Sequence, residues 1–234
     1  MRRPTILTDL ADLVLGRQCM SCQTPASGVC AECLAGLRTG AMPVLGMRVP
    51  GAAASEYSGL TRQLIIEYKK YGYRSLDVPL GWLLADAVWS AMTASGLRAC
   101  VIVPIPGHPR SRRGFDALAA ITRVATSSLR DAGIDVRHES LLRSRANYAT
   151  LKGLGRSARQ VEVAGAFRPA RPPAPTADVI VVDDVMTTGA TLSEAVDTLQ
   201  RARIHVAAIA VVAVTVSPGR PATYLAPAPA TRPW

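Results

Sequence analysis

The sequence is poor in aromatic residues, with two Phe, six Tyr and three Trp among 234. A stacking platform for single strands or sugars needs more rings than this, well placed. Lysine is scarcer still, three against twenty-four arginines. In an Ala-rich chain that preference reads as codon bias. No apolar run approaches the ~20 residues of a membrane-spanning helix; the most apolar late stretch is only Val206 to Val216. The start carries Arg2 and Arg3, but Asp9 and Asp12 interrupt the apolar run that a secretory signal needs. The expectation is a cytoplasmic protein with no membrane insertion. Two nucleotide-binding signatures, G-x-x-x-x-G-K-[ST] and G-x-G-x-x-G, are absent as well.

What is present starts with core material. Hydrophobic residues make up 49% of the chain, which excludes a wholly disordered one. The net charge of +10 is concentrated. Residues 98–171 hold fourteen basic against five acidic side chains, and the rest of the chain is close to neutral. Codon bias explains the choice of arginine but not this clustering. A basic stretch attracts phosphates, whether of a nucleotide or of a nucleic-acid backbone.

Four of five cysteines fall within fifteen residues, as Cys19-x2-Cys22 and Cys30-x2-Cys33. Thiolates two residues apart on a tight turn reach one cation, and two such turns supply the soft tetrahedral set that Zn²⁺ favours. The rival reading is a redox pair, which usually comes as a single C-x-x-C. The zinc reading makes the site closed and structural. Cys100, alone before an apolar strand, reads as a core residue.

Ile6, Leu7, Leu10, Leu13 and Val14 recur at helical spacing and predict a helix over 1–16. Residues 40–55, rich in Gly, Ala and Pro, read as a connection. Leu60, Leu64, Tyr68 and Tyr71 form a helical stripe, and Pro79 to Ser95 reads as a second helix. Cys100 to Pro106 reads as a strand, Phe115 to Asp131 as a helix, and 143–162 as a basic loop. After the Pro-rich 168–177 come a strand at Val179 to Val182, a helix at Thr191 to Arg203 and a strand at Val206 to Val216. The alternation predicts an α/β domain with a mainly parallel sheet flanked by helices.

The chemistry is densest in Val179-Ile-Val-Val-Asp183-Asp184-Val-Met-Thr187-Thr188-Gly189-Ala190-Thr191. A strand ends in two carboxylates, and a turn of small residues then opens a helix. Ligands of open α/β sheets bind at the carboxyl ends of strands. A helix start surrounded by hydroxyls and free amides captures phosphate. Carboxylates accept from vicinal hydroxyls, so the pairing of acid and phosphate cradle suits a ribose 5-phosphate. The competing reading is that the acids merely cap the helix.

This string resembles the binding signature of type I phosphoribosyltransferases for 5-phosphoribosyl 1-pyrophosphate (PRPP). Val103-Pro-Ile-Pro-Gly-His-Pro-Arg-Ser-Arg-Arg-Gly-Phe-Asp116 resembles the V-P-x-P…R-G-F-N segment of the ComF/GntX family, as do the four-cysteine knuckle and the Tyr57…Tyr68-Lys69-Lys70 region. The resemblance implies that Asp183 and Asp184 contact the ribose hydroxyls as the catalytic pair. It implies that Thr187, Thr188, Gly189, Ala190 and Thr191 hold the 5-phosphate. Pro106, Gly107, His108, Arg112 and Arg113 would form the pyrophosphate loop, with Mg²⁺ held mainly by the ligand's oxygens and by waters. With the patterning along the chain, the expected division is a helix and knuckle (1–37), a connection and helical segment (38–97), the phosphoribosyltransferase-like domain (98–216) and a disordered tail (217–234). The family's mobile-loop pattern is met at Arg143, Arg145, Arg159, Ala166 and Phe167. Asn147, Thr150 and Glu162 depart from it, and Asp116 stands where the family has Asn. Three readings follow: transfer of the phosphoribosyl group to a nitrogenous acceptor, single-stranded DNA handling in DNA uptake with PRPP as a regulator, or a PRPP sensor without turnover that acts through a partner protein. His138 and His205 read as surface residues. The pair Lys69 and Lys70 either reaches the site or, as such pairs do by default, forms a solvated helix face.

Overall fold

The computed structural model of the chain describes residues 18–107, 116–145, 165–170 and 178–216. The helix expected at 1–16, His108, Arg112, Arg113, Asn147, Thr150, Arg159, Glu162 and the tail 217–234 lie outside these residues.

The strands are β1 (Met42–Pro43), β2 (Gly51–Glu56), β3 (Ala99–Pro104), β4 (Asp135–His138), β5 (Leu142–Ser144), β6 (Phe167–Pro169), β7 (Val179–Met186) and β8 (Val206–Val214). Six of them form one sheet in the order β1-β2-β8-β7-β3-β4, and β5 and β6 pair separately. Only β1 runs antiparallel in the large sheet. Its central strands are buried nearly throughout, as in a sheet covered on both faces. Cys100 is buried, as its apolar setting suggests.

The helices are α1 (Ala31–Leu37), α2 (Gly59–Tyr71), α3 (Asp77–Ala94), α4 (Ala117–Asp131) and α5 (Ala190–Arg201). α2 carries the Leu64 and Tyr68 stripe inward and ends at Gly72, whose φ of 73° reverses the chain. α3 starts two residues before Pro79, which sits in its first turn where the missing N–H costs nothing. Asp116 caps α4 by accepting from Ala119 N at 3.1 Å. Among the described residues no helix is long and apolar enough to cross a membrane.

Right-handed crossovers decide which face each helix covers. The steps β2-α3-β3 and β3-α4-β4 run toward the β4 edge, whereas β7-α5-β8 runs the opposite way. α3 and α4 therefore share a face and pack on each other, while α5 covers the opposite face with β6. The direction of winding reverses between β3 and β7. That switch point opens a crevice at the carboxyl ends of the two strands.

The stretch 40–55 is not a plain connection. Ala52, Ala53 and Ala54 are buried in β2, parallel to β8. Small residues are required there: a Cβ on Gly51 would stand 2.6 Å from Ile209 Cγ1. The segment at 168–177 likewise begins within a strand, since β6 runs to Pro169.

The cysteine knuckle docks at the start of α3, against Leu76, the residue that precedes the helix. A Cβ on Gly28 would meet Leu76 Cδ2 at 2.7 Å. Just past α1, Arg38 donates to both carboxylate oxygens of Asp86 at 2.7 and 2.8 Å, and both side chains are buried. A two-point guanidinium–carboxylate bond fixes orientation as well as distance, so the knuckle and α3 are joined in one geometry.

Candidate functional site

β7 carries its strand geometry through both acids to Met186, beyond the expected end at Val182. Asp183 and Asp184 therefore stand at the switch point. Ile105 N donates to Val182 O at 3.0 Å, which places the chain leaving β3 beside the acids. On the other flank Tyr57 N donates to Val214 O at 2.8 Å, bringing the end of β2 to the same edge. Asp184 N donates to Asp183 Oδ1 at 2.8 Å and orients that carboxylate.

Thr187 and Thr188 follow, both exposed. Gly189 takes φ 76°, and α5 begins at the next residue. The left-handed turn is what lets the chain double back from strand to helix. Ser193 N donates to Gly189 O, and Ala190 N to Thr188 Oγ1 at 3.4 Å. The other first-turn amides have no partner within the helix, by the geometry of any α-helix start. They give this twelve-residue helix a donor set for an anion. Met47, from the β1–β2 loop, covers the turn: a Cβ on Gly189 would lie 2.8 Å from its Sδ.

Lys69, in the last turn of α2, reaches Asp184 Oδ2 with its Nζ at 2.6 Å. The solvated-face reading holds for Lys70 alone, whose ammonium lies over the Tyr71 ring. Only the third dimension separates two adjacent lysines, so no sequence signal marks which one turns inward. Burial works to lower the Lys69 pKa, but Asp184, by charge and hydrogen bond, and Asp183 and Tyr57 beyond it, hold it above lysine's ordinary value. Burial, and next the charge of Asp184, push the Asp183 carboxyl up to about 8 against the pull of Lys69.

Pro106 and Gly107 leave β3 at this crevice. Gly107 touches Asp116, whose Oδ2 would be 3.1 Å from a Cβ there. The two ends of the segment that carries His108, Arg112 and Arg113 are thus in contact. Asp116, which stands where the resembling family has Asn, keeps the cap of α4. Arg143 and Arg145 are in or next to β5 and exposed, and Ala166 and Phe167 are buried beside them. Gly165 N donates to Glu194 Oε1 at 3.0 Å, which ties the start of β6 to α5. His138 and His205 are exposed, the latter 2.8 Å from Asp178 Oδ1.

The Sγ atoms of Cys19, Cys22, Cys30 and Cys33 all lie within 4.8 Å of one another. Tetrahedral zinc with Zn–S of about 2.3 Å requires sulfur spacings of about 3.8 Å, so the set fits. Ser21 N and Cys30 N donate to Cys19 Sγ at 3.5 and 3.3 Å, and Cys33 N donates to Cys30 Sγ at 3.4 Å. Amides aimed at sulfur favour thiolates. The Thr24 hydroxyl and amide draw the Cys22 thiol down to about 6. Cys33, although the Ser21 hydroxyl works to lower it, is pushed up to about 12 mainly by Cys30 and Cys22. Four sulfurs this close resist sharing negative charge without a cation, so the cluster can bind zinc.

Residues 146–229 match the family model described as phosphoribosyl transferase domain. That match covers 84 of the 234 residues, in a chain that joins a mainly parallel α/β sheet flanked by helices to a four-cysteine cluster. Among solved structures it is similar to a glutamine PRPP amidotransferase from B. subtilis complexed with ADP and GMP, at 18% identity and a TM-score of 0.34. That match covers 62% of this chain and 30% of the other, so the chain spans under a third of that protein's length. No curated protein matches the sequence significantly.

Proposed function

We propose that this protein binds PRPP and transfers its 5-phosphoribosyl group to a nitrogenous acceptor, releasing pyrophosphate. The observation that carries the reading is the meeting, at the sheet's switch point, of an adjacent acid pair with a glycine-turned helix start. The first-turn amides and hydroxyls of Thr187 to Thr191 take the 5-phosphate. Asp183 and Asp184 accept from the 2- and 3-hydroxyls and fix the ribose. Pro106 and Gly107, with His108, Arg112 and Arg113, face the pyrophosphate. The bond from C1 to the pyrophosphate oxygen breaks with its electron pair on pyrophosphate. The acceptor's nitrogen lone pair forms the new bond to C1 and then sheds a proton to solvent. The protein contributes position and preset charge rather than a covalent nucleophile. Asp184 is committed to Lys69, so the acid pair is not a free two-carboxylate cage for Mg²⁺. Mg²⁺ would arrive on the diphosphate, held by ligand oxygens and water, and would neutralise the leaving charge. The four cysteines would hold a structural Zn²⁺, and the knuckle together with the acid-and-threonine string supports membership of the ComF/GntX family, in a cytoplasmic protein.

The test is pyrophosphate release from PRPP and Mg²⁺ across nucleobases and other amines. Acceptor-dependent release that Asp184→Asn abolishes is expected. PRPP binding without release from any acceptor would leave a sensor, not a transferase.

A second reading, single-stranded DNA handling with PRPP as regulator, is favoured by one feature. A cleft of about 530 Å³ along α4 and β4 is lined by Arg123, Arg130, Arg137 and His138. Among the described residues no Phe, Tyr or Trp lines it, and Asp131 is its one acidic member, so it suits backbone phosphates rather than stacked bases. Binding that weakens steeply from low to physiological salt would support this reading, and salt-indifferent binding would oppose it.

A further inference from the structure

Lys69 sits at the acid pair and has no part in the transfer chemistry above. It comes from α2, outside the β7–α5 unit, and several contacts fix its helix. Tyr68, its neighbour, donates to Asp77 and, at 3.2 Å, to Ala117 O. Gly72 closes the helix end. Asp184, the partner of Lys69, is largely buried, with 14% of its side chain exposed. The Lys69 side chain is 39% exposed, so the carboxylate is held by packing and the ammonium by the fixed helix that carries it, unlike an exposed pair held by two mobile side chains.

The pair faces an electrostatic conflict. Two carboxylates on successive residues repel each other, and they would also repel a ligand that carries a phosphate and a diphosphate. They would further attract a divalent cation, as adjacent carboxylates do. Cancelling one charge removes both problems. We propose, resting on the PRPP reading, that Lys69 is a positioning residue, the built-in counter-ion that fits the Asp183–Asp184 pair to the diol of a polyanionic sugar phosphate instead of a divalent cation.

The groups that face the pair agree. Lys69 comes from α2 and Tyr57 from the end of β2, and each carboxylate faces the other. Burial, and next the charge of Asp184, hold the Asp183 carboxyl up to about 8 against the pull of Lys69, so Asp183 carries its proton near pH 7. A protonated carboxyl both donates and accepts, which matches a hydroxyl. The site is then near neutral at its acid end around pH 7, and the cationic contacts are left to the phosphates.

The test uses the full-length protein. Carboxyl ¹³C NMR follows the acid pair in ligand-free wild type, Lys69→Met and Lys69→Arg, with Asp183→Asn for assignment. Lys69→Met is expected to move the Asp183 titration up by a unit or more, and Lys69→Arg to restore it. The dissociation constant of PRPP with Mg²⁺ should rise at least tenfold in Lys69→Met and recover most of the way in Lys69→Arg. A folded Lys69→Met protein with an unmoved carboxyl titration, or with unchanged PRPP affinity, would overturn the proposal. Wild type that binds no PRPP would defeat the reading of the site, and the ligand-free titration would still decide the role of Lys69. Should Lys69→Met not fold, the Nζ resonance of wild type decides. The chain has only three lysines, and Lys69 must titrate above ordinary lysine; a value at or below it would overturn the proposal.

Discussion

Alanine at Gly81 should destabilise this protein even though alanine is the better helix former. Gly81 is buried in the interior of α3, where it faces α4. Helix propensity alone favours alanine by about 1 kcal/mol. The added Cβ, however, would stand 2.5 Å from both Val124 Cβ and Cγ1 and 3.1 Å from Ile121 O. Carbon atoms rest at about 3.5–4.0 Å, so the helices must part by about 1 Å. Val124 Cβ and a backbone carbonyl are not the loose end of a side chain and cannot swing away. Overpacking costs about 1–3 kcal/mol; contacts as short as 2.5 Å on two carbons put this one at the upper end, about 2–3, so the net loss is about 1–2 kcal/mol once propensity is credited. For a chain of this size that is a fall of roughly 2–8 °C in Tm, read alongside urea unfolding. α4 begins at Ala117, beside Gly107, so PRPP affinity should weaken as well. Gly36→Ala supplies the opposite sign. Gly36 is exposed in α1 with nothing within 4 Å of its added Cβ, and it should gain up to about 1 kcal/mol. In a double-mutant cycle, Val124→Gly should couple favourably with Gly81→Ala. A Gly81→Ala protein as stable as wild type would refute the reasoning, because the close helix approach would then carry no cost.

Gly189→Ala should cost about 1–2 kcal/mol for the left-handed backbone, and Met47→Ala should not relieve it, since the Met47 and Met186 ends that the Cβ meets can move aside; full rescue in urea unfolding would contradict this. Zinc should be present at one ion per chain by elemental analysis, and Cys22→Ser should lose it and lower the unfolding midpoint, because structural zinc binding is folding free energy; protein purified with no metal would contradict it. Asp183 holds its proton to about 8 when folded but only to about 4 when unfolded. Between those values the folded state binds more protons, so wild-type stability should fall as pH rises from about 4 to 8. Asp183→Asn should flatten that slope in thermal melts taken across the window, and an unchanged slope would contradict the assignment.

The local geometry of the candidate site was legible in the sequence because its residues are close in the chain. Asp183, Asp184 and Thr187 to Gly189 lie on one strand, one turn and one helix start, and their order alone places acids beside free amides. The cysteine spacing was legible for the same reason, and Pro79 and Asp116 marked the first turns of α3 and α4. What escaped depends on distant partners. Ala52 to Ala54 have low intrinsic strand preference, and they form β2 through parallel pairing with the distant β8, against which they are buried. β4 shows a single buried residue, Val136, too little for an alternation signal. Lys69 is told from Lys70 only by the helix rotation that brings Asp184 within reach.

The most direct test of the central claim is isothermal titration of PRPP with Mg²⁺ into the full-length protein and its Asp184→Asn variant. The expected result is one PRPP per chain in wild type and at least tenfold weaker binding in a variant that remains folded. Absence of binding in wild type, or equal affinity in the two proteins, would contradict the placing of a ribose 5-phosphate at the end of β7.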